Sequence, residues 1–204
     1  MLKFRLAVIA AAFTLLIALA GVNWYNSLHA GANAVRSQAD PAVKIGGPFT
    51  LTDQDGKTVT EAVLKGKWTA VFFGYTYCPD VCPLTLQSLA HTQSLLGAKA
   101  KDFQIVFITV DPARDSPANL KAYLGSHGFP QGVIGLTGTQ AQIDAVTQAF
   151  RASVTKTGSG DTYAFSHTAV IYLMDPKGAF NTPLAEDLGP DKNADQIRQS
   201  MAGN

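Results

Sequence analysis

Cysteine is scarce in this sequence: 204 residues contain two, at 78 and 82. Two thiols so close together cannot staple distant parts of a chain, which excludes a disulfide scaffold and turns attention to a metal or redox pair. Charge of either sign is also lacking in excess. Sixteen Lys and Arg face fifteen Asp and Glu, for a net charge of +1 and no long basic run. Nucleic-acid binding therefore has no electrostatic footprint, and the chain is not acidic enough to read as a disordered tail. There is no internal repeat and no low-complexity tract. The three methionines are scattered, so no methionine-rich metal motif exists.

What is present begins with one long apolar run. Met1 to Arg5 is short and basic, and Leu6 to Val22 follows with Thr14 as its one polar side chain. These 17 residues sit at the lower edge of a membrane-spanning helix and exceed the usual core of a signal peptide. Trp24 and Tyr25 suit the membrane interface, and Lys3 and Arg5 suit the cytoplasmic side. The expectation is a retained single-pass anchor over residues 1–25 with the rest of the chain exported. The alternative is a cleaved signal peptide, for which Ala30-Gly31-Ala32 and Ala32-Asn33-Ala34 offer small-x-small sites, rather far beyond the apolar core. No cysteine lies beside the run to carry a lipid. Residues 26–44 are polar, Ala-rich and aperiodic, and read as a flexible tether. Residues 45–204 form one domain, large enough to bury roughly 70% of its unfolded surface in a single core.

Within the domain, Phe49–Thr52 and Thr58–Thr60 flank Asp53-Gln-Asp-Gly56, a β-hairpin signal. Asp53 and Asp55 lack the remaining ligand positions of a calcium loop. Trp68–Gly74 and Gln104–Val110 read as buried strands, with a helix carrying Leu84, Leu86, Leu89, Leu95 and Leu96 between them. Ser116-Pro117 opens a helix bearing Leu120, Tyr123 and Leu124. Val133–Leu136 is a short strand, and Thr139 caps a helix with Ile143, Val146 and Phe150. Lys156–Asp161 reads as a glycine-containing loop and Thr168–Met174 as a third strong strand. A weaker strand around Ala179–Thr182 and a last helix over Asp195–Met201 close the chain. Alternating strands and helices give an α/β sandwich. A strand that feeds a cysteine pair at a helix start is the thioredoxin-like layout, here with an N-terminal β-hairpin and a preceding transmembrane anchor helix.

The chemistry gathers at Gly74-Tyr-Thr-Tyr-Cys78-Pro-Asp-Val-Cys82-Pro83. Cysteines at i and i+4 share a face if the segment is helical, and a helix N-terminus favours thiolate, the form that binds metal or attacks a disulfide. Pro79 and Pro83 stiffen the turn. Three intervening residues permit a disulfide and also leave room for a cation between the sulfurs. Soft thiolates select Cu(I), zinc or iron–sulfur clusters. A cluster wants four cysteines and structural zinc four protein ligands, whereas Cu(I) accepts fewer. Of the four histidines, His29 lies on the tether, His91 turns away along the helix, and His127 ends a helix beside Gly128; each reads as an ordinary exposed histidine. His167 precedes a strong strand whose start can lie opposite the cysteine turn. It reads either as a third ligand or as a loop histidine capping a strand.

Gly47-Pro-Phe49, Phe73-Gly-Tyr-Thr-Tyr-Cys-Pro-Asp-Val-Cys-Pro83, Val110-Asp-Pro-Ala-Arg-Asp-Ser-Pro117 and Ser166-His167-Thr168 together resemble the Sco/SenC family across about Ile45 to Met174. The resemblance implies a thioredoxin-like fold, a single N-terminal anchor, and one copper ion per chain held by Cys78, Cys82 and His167. It also implies a metallochaperone that helps build the dinuclear copper centre of cytochrome c oxidase. Its partner would be the copper-site subunit of that oxidase, with another periplasmic copper chaperone or a thiol reductant as a further partner. The domain would face the periplasm from the inner membrane, or the mitochondrial intermembrane space in a eukaryote. The alternative is an enzyme, a thiol–disulfide reductase using Cys78 and Cys82 to keep the oxidase copper-site cysteines reduced. One departure stands out: the residue before the family histidine is often aspartate, and here it is Ser166. The loop Asp111–Asp115 reads as a strand-end turn held by an Arg114–carboxylate pair, with a role beside the copper site or a partner surface as the alternative.

Overall fold

The structure is a computed structural model that describes residues 44–203 apart from His127, Thr168, Ala169, Glu186 and Asp187. The expected anchor, the tether up to residue 43, His29 and His127 lie outside the described residues. Among those described, no helix is long and apolar enough to cross a membrane.

Among the described residues, nine strands and four α-helices follow in the order β1 (Thr50–Asp53), β2 (Thr58–Thr60), β3 (Trp68–Gly74), α1 (Val81–Leu95), β4 (Phe103–Thr109), α2 (Pro117–Leu124), β5 (Ile134–Thr137), α3 (Gln140–Ala149), β6 (Val154–Thr157), β7 (Ala164–His167), β8 (Val170–Met174), β9 (Phe180–Ala185) and α4 (Gly189–Ala202). Seven strands form one sheet in the order β2-β1-β5-β4-β3-β8-β9, and β6 and β7 form a separate two-stranded ribbon. β3, β4 and β5 are parallel, and every other pairing is antiparallel.

The centre of the sheet follows from its sequence. All seven residues of Trp68-Thr-Ala-Val-Phe-Phe-Gly74 are buried. A strand covered on both faces needs such a continuous apolar run. Phe72, Phe73 and Phe107 are the largest side chains at its heart, and complete burial of each contributes about 1.5–3 kcal/mol. The β1–β2 hairpin turns at Gly56, φ +80°, and Asp53 Oδ1 accepts from the backbone N–H groups of Asp55 and Lys57 at 2.9 and 2.8 Å. Asp53 is thereby a turn residue, and Asp55 pairs with Lys121 at 2.8 Å.

The helices begin where the caps place them. Ser116 Oγ accepts from Asn119 N ahead of Pro117, and Thr139 with Gln142 forms a reciprocal capping box. α4 packs on α1, where Arg198 Nη1 donates to the Leu95 carbonyl at 2.8 Å.

Three expectations are corrected. Lys156–Asp161 is not simply a loop: Val154–Thr157 is strand β6, and only the residues after it turn. The single strand over Thr168–Met174 is two elements, with His167 ending β7 and β8 beginning at Val170. The last helix starts at Gly189, six residues before Asp195, with Pro190 in its first turn where a missing N–H costs nothing.

Candidate functional site

β3 delivers the chain to the site and ends in Gly74 because little else fits there. A Cβ on Gly74 would lie 2.7 Å from Phe107 Cε2 and 3.0 Å from Cys82 Sγ. The second sulfur thus rests directly on the strand end, fully buried. Cys78 is half-buried and lies in the turn before α1. The two are not both helical, which corrects the i, i+4 argument: α1 begins at Val81, so only Cys82 is inside it. They meet because the turn folds back and Cys82 N donates to Cys78 Sγ at 3.4 Å. The N-cap residue Asp80 makes no side-chain cap bond. Cys78 sulfur takes that duty and satisfies one of the helix's orphan N–H groups.

His167 comes from the ribbon. Its Nε2 lies 3.6 Å from Cys82 Sγ, although 85 positions separate them in sequence. The imidazole packs edge-on against Phe72 and Tyr75, with ring centroids 6.2 and 6.4 Å away. Neighbouring residues of a strand point to opposite faces. Ser166 accordingly is exposed while His167 turns inward, so position 166 does not reach the imidazole from its own strand. His91 is exposed on α1. Among the described residues, no three His, Cys, Asp or Glu side chains already stand at metal-ligand spacing. The structure brings Cys82 to His167 and Cys78 to the Cys82 backbone, without a closed trio.

Around the site, the Asp111–Asp115 loop is the one the sequence marks, whereas Thr76 and Tyr163 carry no site signal of their own. Asp115 is fully buried. Its carboxylate accepts from Thr76 N at 3.0 Å and Thr76 Oγ1 at 2.6 Å, inside the cysteine turn, and from Thr109 Oγ1. Burial raises its pKa, the Thr109 and Thr76 hydrogen bonds oppose the rise, and the nearby Asp111 charge adds to it. Asp111 accepts from Arg114 Nε and, at 2.8 Å, from Tyr163 OH. The expected Arg114–carboxylate pair is therefore Arg114–Asp111. The Arg114 guanidinium lies 3.8 Å from the Tyr163 ring centroid and 4.7 Å from that of Tyr77. Ring faces cover it where its buried Nη2 has no hydrogen-bond partner. Tyr123 of α2 packs against Phe107 and Phe129, with ring centroids 6.1 and 5.2 Å away, and burial pushes its hydroxyl pKa well up. Of these, only the paired acidic residues around Arg114 gave a sequence signal.

Fold and site define a class: a thioredoxin-like α/β domain carrying two thiols at a helix start and an imidazole opposite. The SCO1/SenC family model matches residues 37–202, and the chain belongs to that family. It is 41% identical to Protein SenC of Rhodobacter capsulatus over 157 residues, 76% of this chain and 70% of that protein. It is 37% identical to yeast Protein SCO2, mitochondrial, over 169 residues, 81% of this chain but only 56% of the yeast protein. Copper-bound ScoI of Bradyrhizobium japonicum superposes with a TM-score of 0.69 at 44% identity, covering 76% of this chain and 98% of that one. BsSco, described as having a disulfide switch and as a member of a family of cytochrome c oxidase assembly proteins, gives 0.63 at 28% identity, covering 79% and 93%.

Proposed function

We propose that this domain binds one copper ion through Cys78, Cys82 and His167 and delivers it during assembly of the cytochrome c oxidase copper centre. It would work from the outer face of the membrane that its N-terminal segment anchors. The observation that carries the reading is the 3.6 Å approach of Cys82 Sγ to His167 Nε2, with Cys78 Sγ one turn away on the same backbone. Two sulfurs and one nitrogen form a donor set soft enough for Cu(I) and one ligand short of structural zinc. Copper-bound relatives of the same fold support copper as the metal. The metal would close a trio that the protein alone leaves open, so binding would tighten the cysteine turn against β7. Delivery would proceed by exchange of soft ligands with acceptor cysteines on the oxidase subunit.

A second reading, thiol–disulfide reduction of those acceptor cysteines, is favoured by one asymmetry. Cys78 is half-buried and Cys82 fully buried, which suits an attacking and a resolving thiol. The full-length reduced chain decides between them. Copper stoichiometry and reduction of a disulfide-linked acceptor peptide are measured for wild type, Cys78→Ser/Cys82→Ser and His167→Ala. Delivery predicts one copper per chain, none in the double variant, and an affinity loss above about 100-fold in His167→Ala, since outer-shell changes already cost 10–100-fold. Unchanged copper affinity in His167→Ala, with peptide reduction intact, would remove His167 from the site and put reduction first.

A further inference from the structure

His167 and the two thiols arrive on elements that the main sheet does not register against each other. The cysteine turn hangs between β3 and α1, and among the described residues β7 pairs only with β6. A cleft of about 510 Å³, lined by Asp144 and Gln148 of α3, by Lys156 and Phe165 of the ribbon and by Tyr163 beside it, opens along one side of the ribbon, while Phe165 packs on Tyr75 at a ring-centroid distance of 5.6 Å. Yet metal ligation needs sulfur and nitrogen held to within about half an ångström. Something outside the ligands has to set their separation.

The loop between β4 and α2 reaches both. Its Asp115 takes the backbone N–H and the hydroxyl of Thr76, two residues before Cys78. Its Asp111 takes the hydroxyl of Tyr163, the residue before β7 and four before His167. Arg114 lies between, bonded to Asp111 and stacked on Tyr163 and Tyr77, one aromatic from each side. The loop is itself fixed: Val110 N donates to the Gly74 carbonyl at 2.8 Å, Asp111 N to Thr109 Oγ1, and Ser116 caps α2. Both carboxylates are buried, at 1% and 0% exposure. Buried carboxylates are rarely kept without a compensating structural or functional gain.

We infer that residues 111–115 form a two-carboxylate clamp that sets the gap between the thiol turn and His167. Asp115 is the positioning residue of the turn, and Asp111, through Tyr163, of the histidine ribbon. The clamp serves the copper reading proposed above. Its signature is coupling: loosening Tyr163 matters only while His167 is there to be positioned. Asparagine at 115 can offer its oxygen to Thr76 N and Thr109 and its amide to Thr76 Oγ1, so geometry survives loss of charge.

The test uses the full-length reduced chain, with Cu(I) affinity read by competition against a chromophoric chelator. Tyr163→Phe keeps the ring over Arg114 and removes the bond to Asp111. It is expected to weaken Cu(I) about tenfold or more in wild type and less than about twofold in the His167→Ala background. Asp115→Asn is expected to bind within about threefold of wild type, and Asp115→Ala to fall as Tyr163→Phe does. If Asp115→Ala does not fold, Thr76→Val removes one of the same bonds and takes its place. Equal losses for Tyr163→Phe with and without His167, or no loss at all, would overturn the clamp; so would equal behaviour of Asp115→Asn and Asp115→Ala. A metal-free measurement keeps the two readings apart. In Tyr163→Phe, nuclear Overhauser contacts from the His167 ring to Phe72 and Tyr75 are expected to weaken. A wild-type chain that takes up no Cu(I) defeats the copper reading, and the clamp then stands if those contacts weaken and falls if they do not.

Discussion

Replacing Gly74 by alanine adds one methyl group at the point where strand, thiol and core meet. Backbone conformation does not forbid it, because Gly74 is not among the positive-φ glycines. Space does. The new Cβ would stand 2.7 Å from Phe107 Cε2 and 3.0 Å from Cys82 Sγ, closer than non-bonded carbon and sulfur tolerate. Phe107 cannot step aside freely, because it is wholly buried and packs against Phe72 and Tyr123 at centroid distances of 5.7 and 6.1 Å. Overpacking of this kind costs about 1–3 kcal/mol, and the reduced chain entropy of alanine returns about 0.4–1. The net loss is about 1–2 kcal/mol, or about 2–8 °C in Tm for a domain of this size. The displaced sulfur should also weaken copper binding. Thermal and urea denaturation of Gly74→Ala measure the first effect, and chelator competition the second. Phe107→Leu makes the test sharper. It destabilises alone, but it withdraws the ring edge, so the double variant should be less unstable than the two single losses summed. Gly74→Ala as stable as wild type, or strictly additive with Phe107→Leu, would refute the steric account.

The pH dependence of Asp115 has an unusual sign. A carboxyl whose folded pKa is raised binds its proton more tightly when folded, so its contribution is present at low pH and is lost as pH rises from the ordinary 3.8 through the raised value. Wild type should therefore lose stability relative to Asp115→Asn across that window in urea titrations, and a constant difference would refute it. Thr139→Ala breaks the capping box of α3 and should cost about 1 kcal/mol, seen as a fall of about 2–4 °C in Tm. If thiol exchange operates, Cys82→Ser should trap a mixed disulfide through Cys78 with an acceptor peptide, and Cys78→Ser should trap none; mass spectrometry distinguishes them, and the reverse pattern would refute the assignment of attacker and resolver.

Much of the fold was legible because its central strands are blunt signals. Trp68–Gly74 is wholly apolar apart from one threonine and a glycine, and its predicted bounds are those observed. Ser116-Pro117 and Thr139 marked two helix starts because capping chemistry is local. The ribbon was not legible. Val154-Thr-Lys-Thr157 has one half-buried residue and three exposed ones, so hydrophobic alternation, the main signal of a strand, is absent. Thr168–Met174 read as one strand with His167 just before it, which hid the end of β7 at His167 and the start of β8 at Val170. α4 begins in Gly189-Pro-Asp-Lys-Asn193, with no apolar run to mark it, although Asn193 and Ala194 are buried against the rest of the fold. Cys78, Cys82 and His167 were all named from sequence and resemblance. What supports them was not: Gly74 and Thr76 carry no chemical label, and the Asp115–Thr76 bond spans 39 positions.

The burial of Cys82 constrains either proposed chemistry to a single entrance. With that sulfur wholly enclosed by Gly74, Phe107 and α1, an incoming acceptor thiol meets Cys78 first, whether it comes to take copper or to surrender a disulfide. Around that entrance Tyr77, Val81 and Leu84 are 61%, 43% and 58% exposed, although large apolar side chains are costly to leave in water. Exposed Asp80, between the two cysteines, keeps one charge at this rim, and the large apolar side chains beside it give a partner a surface it can dry. Drying matters because charge-driven steps strengthen as the local dielectric falls. Copper transfer and disulfide attack thus make the same demand on this surface: Cys78 at the mouth, Cys82 and His167 behind it, and a clamp at residues 111–115 to hold the two halves in register.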